Sequence, residues 1–106
     1  MNLLGLLMSG TAIIGDATVP CAGTLNVEET SDGFFLSGYS RDEFEKQVVL
    51  RNLGWIRRGR VEHAKFQTKT GHLVDGAFEV TDARFAEEDF PDHRRLVFGI
   101  ALKRVT

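Results

Sequence analysis

The chain has 106 residues, 42% of them apolar and 26% charged, and a formal net charge of -2. That is enough for one domain with one core, at ordinary globular usage, and it excludes disorder as a description of the whole chain. A balance so close to neutral gives no argument for nucleic acid from charge alone.

The charge is unevenly spread. Residues 1–40 hold no Lys or Arg and only four acids, Asp16, Glu28, Glu29 and Asp32, so all 13 basic residues lie from Arg41 onward. Cys21 is the single cysteine. No internal disulfide can form, nothing calls for an oxidising compartment, and a zinc site would need several His partners.

The chain opens on an apolar stretch, Leu3, Leu4, Leu6, Leu7, Met8, Ala12, Ile13 and Ile14, broken by Gly5, Ser9, Gly10 and Thr11. It is too short and too interrupted to span a bilayer. Met1-Asn2 supplies no basic n-region, and Pro20 spoils Val19-Pro20-Cys21-Ala22 as a cleavage site, so a secretory signal fits poorly. The readings that remain are a core strand or an arm packed on a neighbouring subunit. Residues 1–22 are accordingly set apart as a candidate arm, ahead of a single β-rich domain over residues 23–106.

From Gly23 to Tyr39 the pattern predicts a β-hairpin. Thr24, Leu25, Val27 and Thr30 suit a strand, Ser31-Asp32-Gly33 a turn in which Gly33 takes positive φ, and Phe34, Phe35 and Leu36 the return. Adjacent Phe34 and Phe35 point to opposite faces of that strand, so one enters the core and the other needs a cover, from the helix or from another chain.

Ser40-Arg41-Asp42-Glu43 has the form of a capping box. Phe44, Val48 and Leu53 then fit one helical face, with Gly54 as a C′ residue, which predicts a helix over 41–53. Gln47-Val48-Val49-Leu50 argues the other way, for a strand.

A strand is expected from about 60 to 68, then a turn at Lys69-Thr70-Gly71-His72. Ala77 to Phe85 alternates, with a bulge expected near Thr81-Asp82. The acidic run Glu87-Glu88-Asp89 before Pro91 reads as a loop. From Arg95 to Val105 the alternation is clean, with Leu96, Phe98, Ile100 and Leu102 on one face, as in a half-buried antiparallel strand. The expected fold class is α+β: an antiparallel β-sheet, or a partly open barrel, with one packed helix.

Chemistry is harder to find. There is no nucleophile elbow, and Cys21 lies in a context that would raise its pKa rather than activate it. His63, His72 and His93 fall in three separate segments, without the spacing that puts two ligands on one face. No phosphate-binding Gly-rich turn leads into a helix. The residues therefore predict no catalytic residue, no metal site and no cofactor, and a protein that is not an enzyme. Arg57, Arg58, Arg60 and Lys65, beside Trp55, form a basic stretch that fits either a solvated surface loop or a contact with a partner or nucleic acid. Leu3, Leu4, Leu6, Leu7, Phe34, Phe35, Tyr39 and Trp55 are the apolar candidates for an interface.

Three stretches of the C-terminal third carry a likeness: Asp75-Gly76-Ala77-Phe78-Glu79-Val80, then Asp92-His93-Arg94-Arg95, then Leu96 to Val105. Together they resemble the tail protein U family of contractile-tailed temperate phages. There a Gly-bearing turn leads into a strand, an acidic-then-basic loop follows, and a last strand ends in a Leu-x-Arg-type signature. Leu36-Ser37-Gly38, and Phe44 to Leu53 ending at Gly54, are similar to that family's middle. The resemblance implies a virion protein without chemistry, a tail or baseplate component that forms homo-oligomeric rings, found in the host cytoplasm during assembly or in the virion. It implies self-association, with other virion or host proteins as further partners and no membrane. The residues taken alone leave open a small protein-binding adaptor or inhibitor, or a nucleic-acid-binding β-domain using the Arg57–Arg60 loop.

Overall fold

A computed structural model describes residues 12–15, 17–19 (backbone), 25–54, 56–89, 91 and 94–105. Among the described residues, seven strands and one helix follow in order: β1 Ala12–Ile14, β2 Ala17–Val19, β3 Asn26–Glu29, β4 Gly33–Tyr39, α1 Glu43–Leu53, β5 Val61–Gln67, β6 Leu73–Asp89 and β7 Arg94–Arg104. The strands form one sheet in the order β2-β1-β5-β6-β7-β4-β3, and every neighbouring pair is antiparallel. The chain is thus an α+β domain with one helix packed on an antiparallel sheet. The sheet begins at Ala12, ahead of the expected boundary at residue 23. Ala12 and Ile14 are core residues on β1, paired with Phe66 and Ala64. Leu3, Leu4, Leu6 and Leu7, the rest of the expected arm, lie outside the described residues.

The sheet is open but strongly curled. Three strand spacings separate β4 from β5, about 14 Å in a flat sheet. Yet the rings of Phe34 and Phe66 meet edge to face at 5.0 Å, and Phe78 of β6 lies 5.9 Å from Phe34 and 6.0 Å from Phe66. The concave side therefore closes on an aromatic trio, a geometry that adds to simple burial. Leu36, Val80, Ile100 and Leu102 continue this core.

The period-two pattern of β7 is realised in full. Leu96, Phe98, Ile100 and Leu102 are all buried, while Val97, Gly99 and Ala101 lie on the convex face opposite Tyr39, Ser37 and Phe35. The bulge falls between Val80 and Asp82, where expected, and Thr81 Oγ donates to Ala101 O at 3.3 Å. Gly71 of the β5–β6 turn takes φ 89°, which suits glycine.

The expected helix is present over Glu43–Leu53, starting two residues late and without the expected cap. Asp42 is the N-cap, its Oδ1 accepting from the Glu45 amide at 2.8 Å. Glu45 reaches back to the Arg41 amide at 2.8 Å, one residue before the cap, so the pair Asp42 and Glu45 sits two residues later than expected and resembles a capping box without its second bond to the cap amide. Ser40 serves the sheet instead: its Oγ accepts from the Leu96 amide and its own amide donates to Leu96 O, both at 2.9 Å. Gly54 closes the helix in the right-handed region at φ -61°, its amide donating to Leu50 O, so it does not use a glycine's left-handed freedom.

The buried helix positions are Glu45, Lys46, Val49 and Leu53. Phe44 points the other way and is 79% exposed. The sequence reading followed the apolar residues. Two long charged side chains take the inner face instead, by burying their stems and pairing their heads. Glu45 holds Arg41 at 2.7 Å, and Lys46 bridges Glu43 at 3.3 Å and Glu87 of β6 at 3.4 Å. Burial works to lower the Lys46 pKa, but Glu43 and Glu87 favour the charged form, and the net effect places it above the usual lysine value.

Replacing Asp42 by Ala removes the cap and is expected to cost about 1 kcal/mol in a urea melt, while Asp42→Asn, which keeps an acceptor, costs a few tenths at most.

Candidate functional site

The feature that most departs from an ordinary small sheet is the length of β6. At about 3.3 Å per residue, its 17 residues would span roughly 53 Å if straight, more than the molecule's longest axis of 43 Å. The bulge at Thr81 bends it and divides its partners. From Leu73 to Glu79 it pairs with β5, and β7 joins on its other side from Phe78 onward. Val80 makes the last contacts on the β5 side, its amide donating to Arg60 O at 2.8 Å and its carbonyl accepting from Gly59 N at 2.7 Å. Beyond that point, Asp82–Asp89 pairs only with β7 among the described residues.

The other side of Asp82–Asp89 is thus a sheet edge eight residues long. It is accessible: the Arg84 side chain is 84% exposed and Phe85 38%. Unpaired backbone of this length is a template for another strand. Asp82, Arg84, Ala86 and Glu88 lie on the convex face, while Ala83, Phe85 and Glu87 share the side of Ile100, Phe98 and Leu96. Arg84 bonds Asp82 at 2.6 Å within the strand. Glu87 is held by Lys46 and, at 3.3 Å, by Arg94, and Arg94 also reaches Asp89 at 3.0 Å. Glu87-Glu88-Asp89 is therefore the end of a strand and not a loop, as the sequence had suggested. Clustered acids are poor strand formers in a sheet interior, but on an edge they stay in water.

The expected interface residues are scattered by the fold. Phe34 is 4% exposed and belongs to the core, so it has no surface to offer. Phe35 lies on the convex face. A Cβ built at Gly99 would come within 2.8 Å of its ring, so the ring lies directly over that glycine and the sheet itself provides part of the expected cover. Tyr39 stacks under the Arg95 guanidinium at 4.1 Å. Trp55 lies outside the described residues.

The basic stretch is spread out as well. Arg57 turns back to cap α1, donating to Gly54 O and, at 3.4 Å, to Ile56 O. Arg60 approaches Glu62 at 3.6 Å. Lys65 lies on the outer face of β5, 3.7 Å from Asp75, which also bonds His63. Arg58 is exposed.

A cleft of about 620 Å³ opens at one end of the curled sheet, between β3 and the β5–β6 turn. Val27, Phe34 and Val74 floor it, and Glu28, Lys69 and His72 rim it. The Arg104 guanidinium lies over the Phe34 ring, 4.9 Å from its centroid, and reaches Glu29 at 3.5 Å. Among the described residues no three His, Cys, Asp or Glu side chains converge as metal ligands, and no helix is long and apolar enough to cross a membrane. His93 and Cys21 lie outside the described residues.

The chain matches no family model, no curated protein and no solved structure.

Proposed function

We propose that this protein is a non-catalytic, self-associating structural component, of the kind that builds ring-like parts of a contractile phage tail or baseplate. The observation that carries the reading is the eight-residue outer edge of β6, Asp82–Asp89, which protrudes past β5 with its backbone open to a further strand. The 79% exposure of Phe44 on the outer face of α1 supports it. A large apolar side chain held in water on a rigid helix favours contact with another surface. The phage-tail part of the reading rests on the C-terminal sequence pattern, Asp75–Val80 leading through Asp92-His93-Arg94-Arg95 into the last strand.

The nucleic-acid alternative has less support. Arg57, Arg60 and Lys65 are each engaged within the chain, and a phosphate-tracking groove needs cations that converge. A protein-binding adaptor would use the same edge of β6 for a foreign strand, and mass in solution separates the two readings. Light scattering of the purified chain at micromolar concentration is expected to give a defined multiple of 11.8 kDa. A monomer at every concentration would refute the assembly reading and favour the adaptor.

A further inference from the structure

We infer that the free edge of β6 docks onto the same edge of a second copy, as an antiparallel two-fold contact centred on Ala86. The inference rests on the self-association proposed above and names the surface and register that perform it.

A continuous sheet across a two-fold axis pairs residues on the same face, so only a few registers exist for the segment Asp82–Asp89. Centring on Phe85 sets Asp82 against Glu88 twice. Centring on Arg84 sets Arg84 against itself, and centring on Glu87 sets Glu87 against itself. Like charges directly opposite one another destabilise a strand pair. Centring on Ala86 sets Arg84 against Glu88 of the second copy, and by symmetry Glu88 against Arg84, with the small Ala86 side chains meeting on the axis.

On the other face, that register places Phe85 opposite Glu87. The two Phe85 rings then lie on the diagonal, a separation that aromatic side chains bridge. Glu87 is already neutralised by Lys46 and Arg94, and Asp89 by Arg94, so neither brings an uncompensated charge to the contact. Glu88 lies opposite Arg95 of β7, and Arg84 is held by Asp82 within the strand. An edge that served only to repel other strands would carry charges that clash in every register. This one clashes when centred on Arg84, Phe85, Glu87 or Glu88; of the two centres that complement, Ala83 pairs only Asp82 to Arg84 before Val80 meets the β5 side, whereas Ala86 pairs the whole of Ala83 to Asp89. A two-fold contact of this type closes a pair, and pairs are the unit from which a larger ring is built through another face.

Charge reversal and exchange test it. Arg84→Glu and Glu88→Arg each turn two attractive contacts into two repulsive ones. Each is expected to raise the dissociation constant of the pair about ten- to thirty-fold, by sedimentation velocity. The double variant Arg84→Glu/Glu88→Arg restores both contacts with their signs swapped, and is expected to return to within about three-fold of the starting protein. Both positions are exposed, so far-UV circular dichroism of all three variants should match the parent. In a Cys21→Ser background, Ala86→Cys is expected to form a disulfide-linked dimer on mild oxidation, because opposed positions across strands come close to disulfide reach, and Ala77→Cys is not. If the parent self-associates but the single reversals leave its mass unchanged, this edge is not the contact, and the assembly reading survives without it. If the singles weaken association and the exchange fails to restore it, the register is wrong. If the parent is a monomer throughout, both the contact and the assembly reading fall.

Discussion

Phe66→Ala is expected to destabilise the fold by about 3–5 kcal/mol. Phe66 is fully buried on β5 and touches both other members of the aromatic trio. Its ring fills the space that the curled sheet encloses, between strands three positions apart in sheet order. Truncation loses the transfer energy of the ring and leaves a cavity that strands pinned by hydrogen bonds cannot collapse to fill. Set against a typical total of roughly 5–15 kcal/mol, this is a large fraction of the whole. The melting temperature should fall by more than about 10 °C. A thermal melt that fell by only a few degrees would mean the sheet relaxes inward and that the curl does not depend on the trio. Phe66→Leu, which keeps most of the volume, is expected to lose well under half as much.

Gly33→Ala is the second large effect, for a reason the sequence conceals. The turn pattern Ser31-Asp32-Gly33 suggests a glycine chosen for positive φ. Gly33 is not among the positive-φ glycines, which are Gly15, Gly59 and Gly71 among the described residues. It is a strand residue with no room for a side chain: a Cβ there would lie 1.9 Å from Leu102 O and 2.8 Å from Leu102 C. Both are backbone atoms of β7 and cannot rotate aside. β4 must therefore withdraw from β7 where their pairing begins, straining the Gly33 to Lys103 register and the Arg104 amide bond to Asp32 O at 2.8 Å. A loss of about 3 kcal/mol is expected in a denaturant melt, at the upper end of what overpacking costs. A near-neutral result would show that the two strands separate more easily than their ladder suggests.

Much of the fold was legible in the sequence, because strand periodicity is a direct record of which face is buried. The alternation of Leu96 to Leu102 gave the last strand and its core face. The shift from Val80 to Ala83 gave the bulge. The turn at Gly71 and the strand before it followed from punctuation alone. What misled was charge. Helix α1 buries Glu45 and Lys46 beside Val49 and Leu53 and exposes Phe44, so only part of its hydrophobic pattern marks its packing face. Arg41 and Glu43 compensate these charges locally, but the Lys46 bridge to Glu87 reaches 41 residues further along, and no local window contains both of its partners. The same blindness hid the candidate site. Three consecutive acids look like a loop until β7 is seen to hold them in a strand, and an edge is a property of what fails to pair with it. The aromatic pair at Phe34 and Phe35 was read correctly as opposed faces, but which ring entered the core depended on the register with β7.

When the protein assembles, the protruding half of β6 should find a partner strand. Amide hydrogen exchange read residue by residue at rising protein concentration addresses this directly. The amides of Asp82–Asp89 that face away from β7 should exchange freely in dilute protein and become protected as concentration rises, in step with the mass of the particle. Exchange at those amides that stays fast and independent of concentration would contradict it.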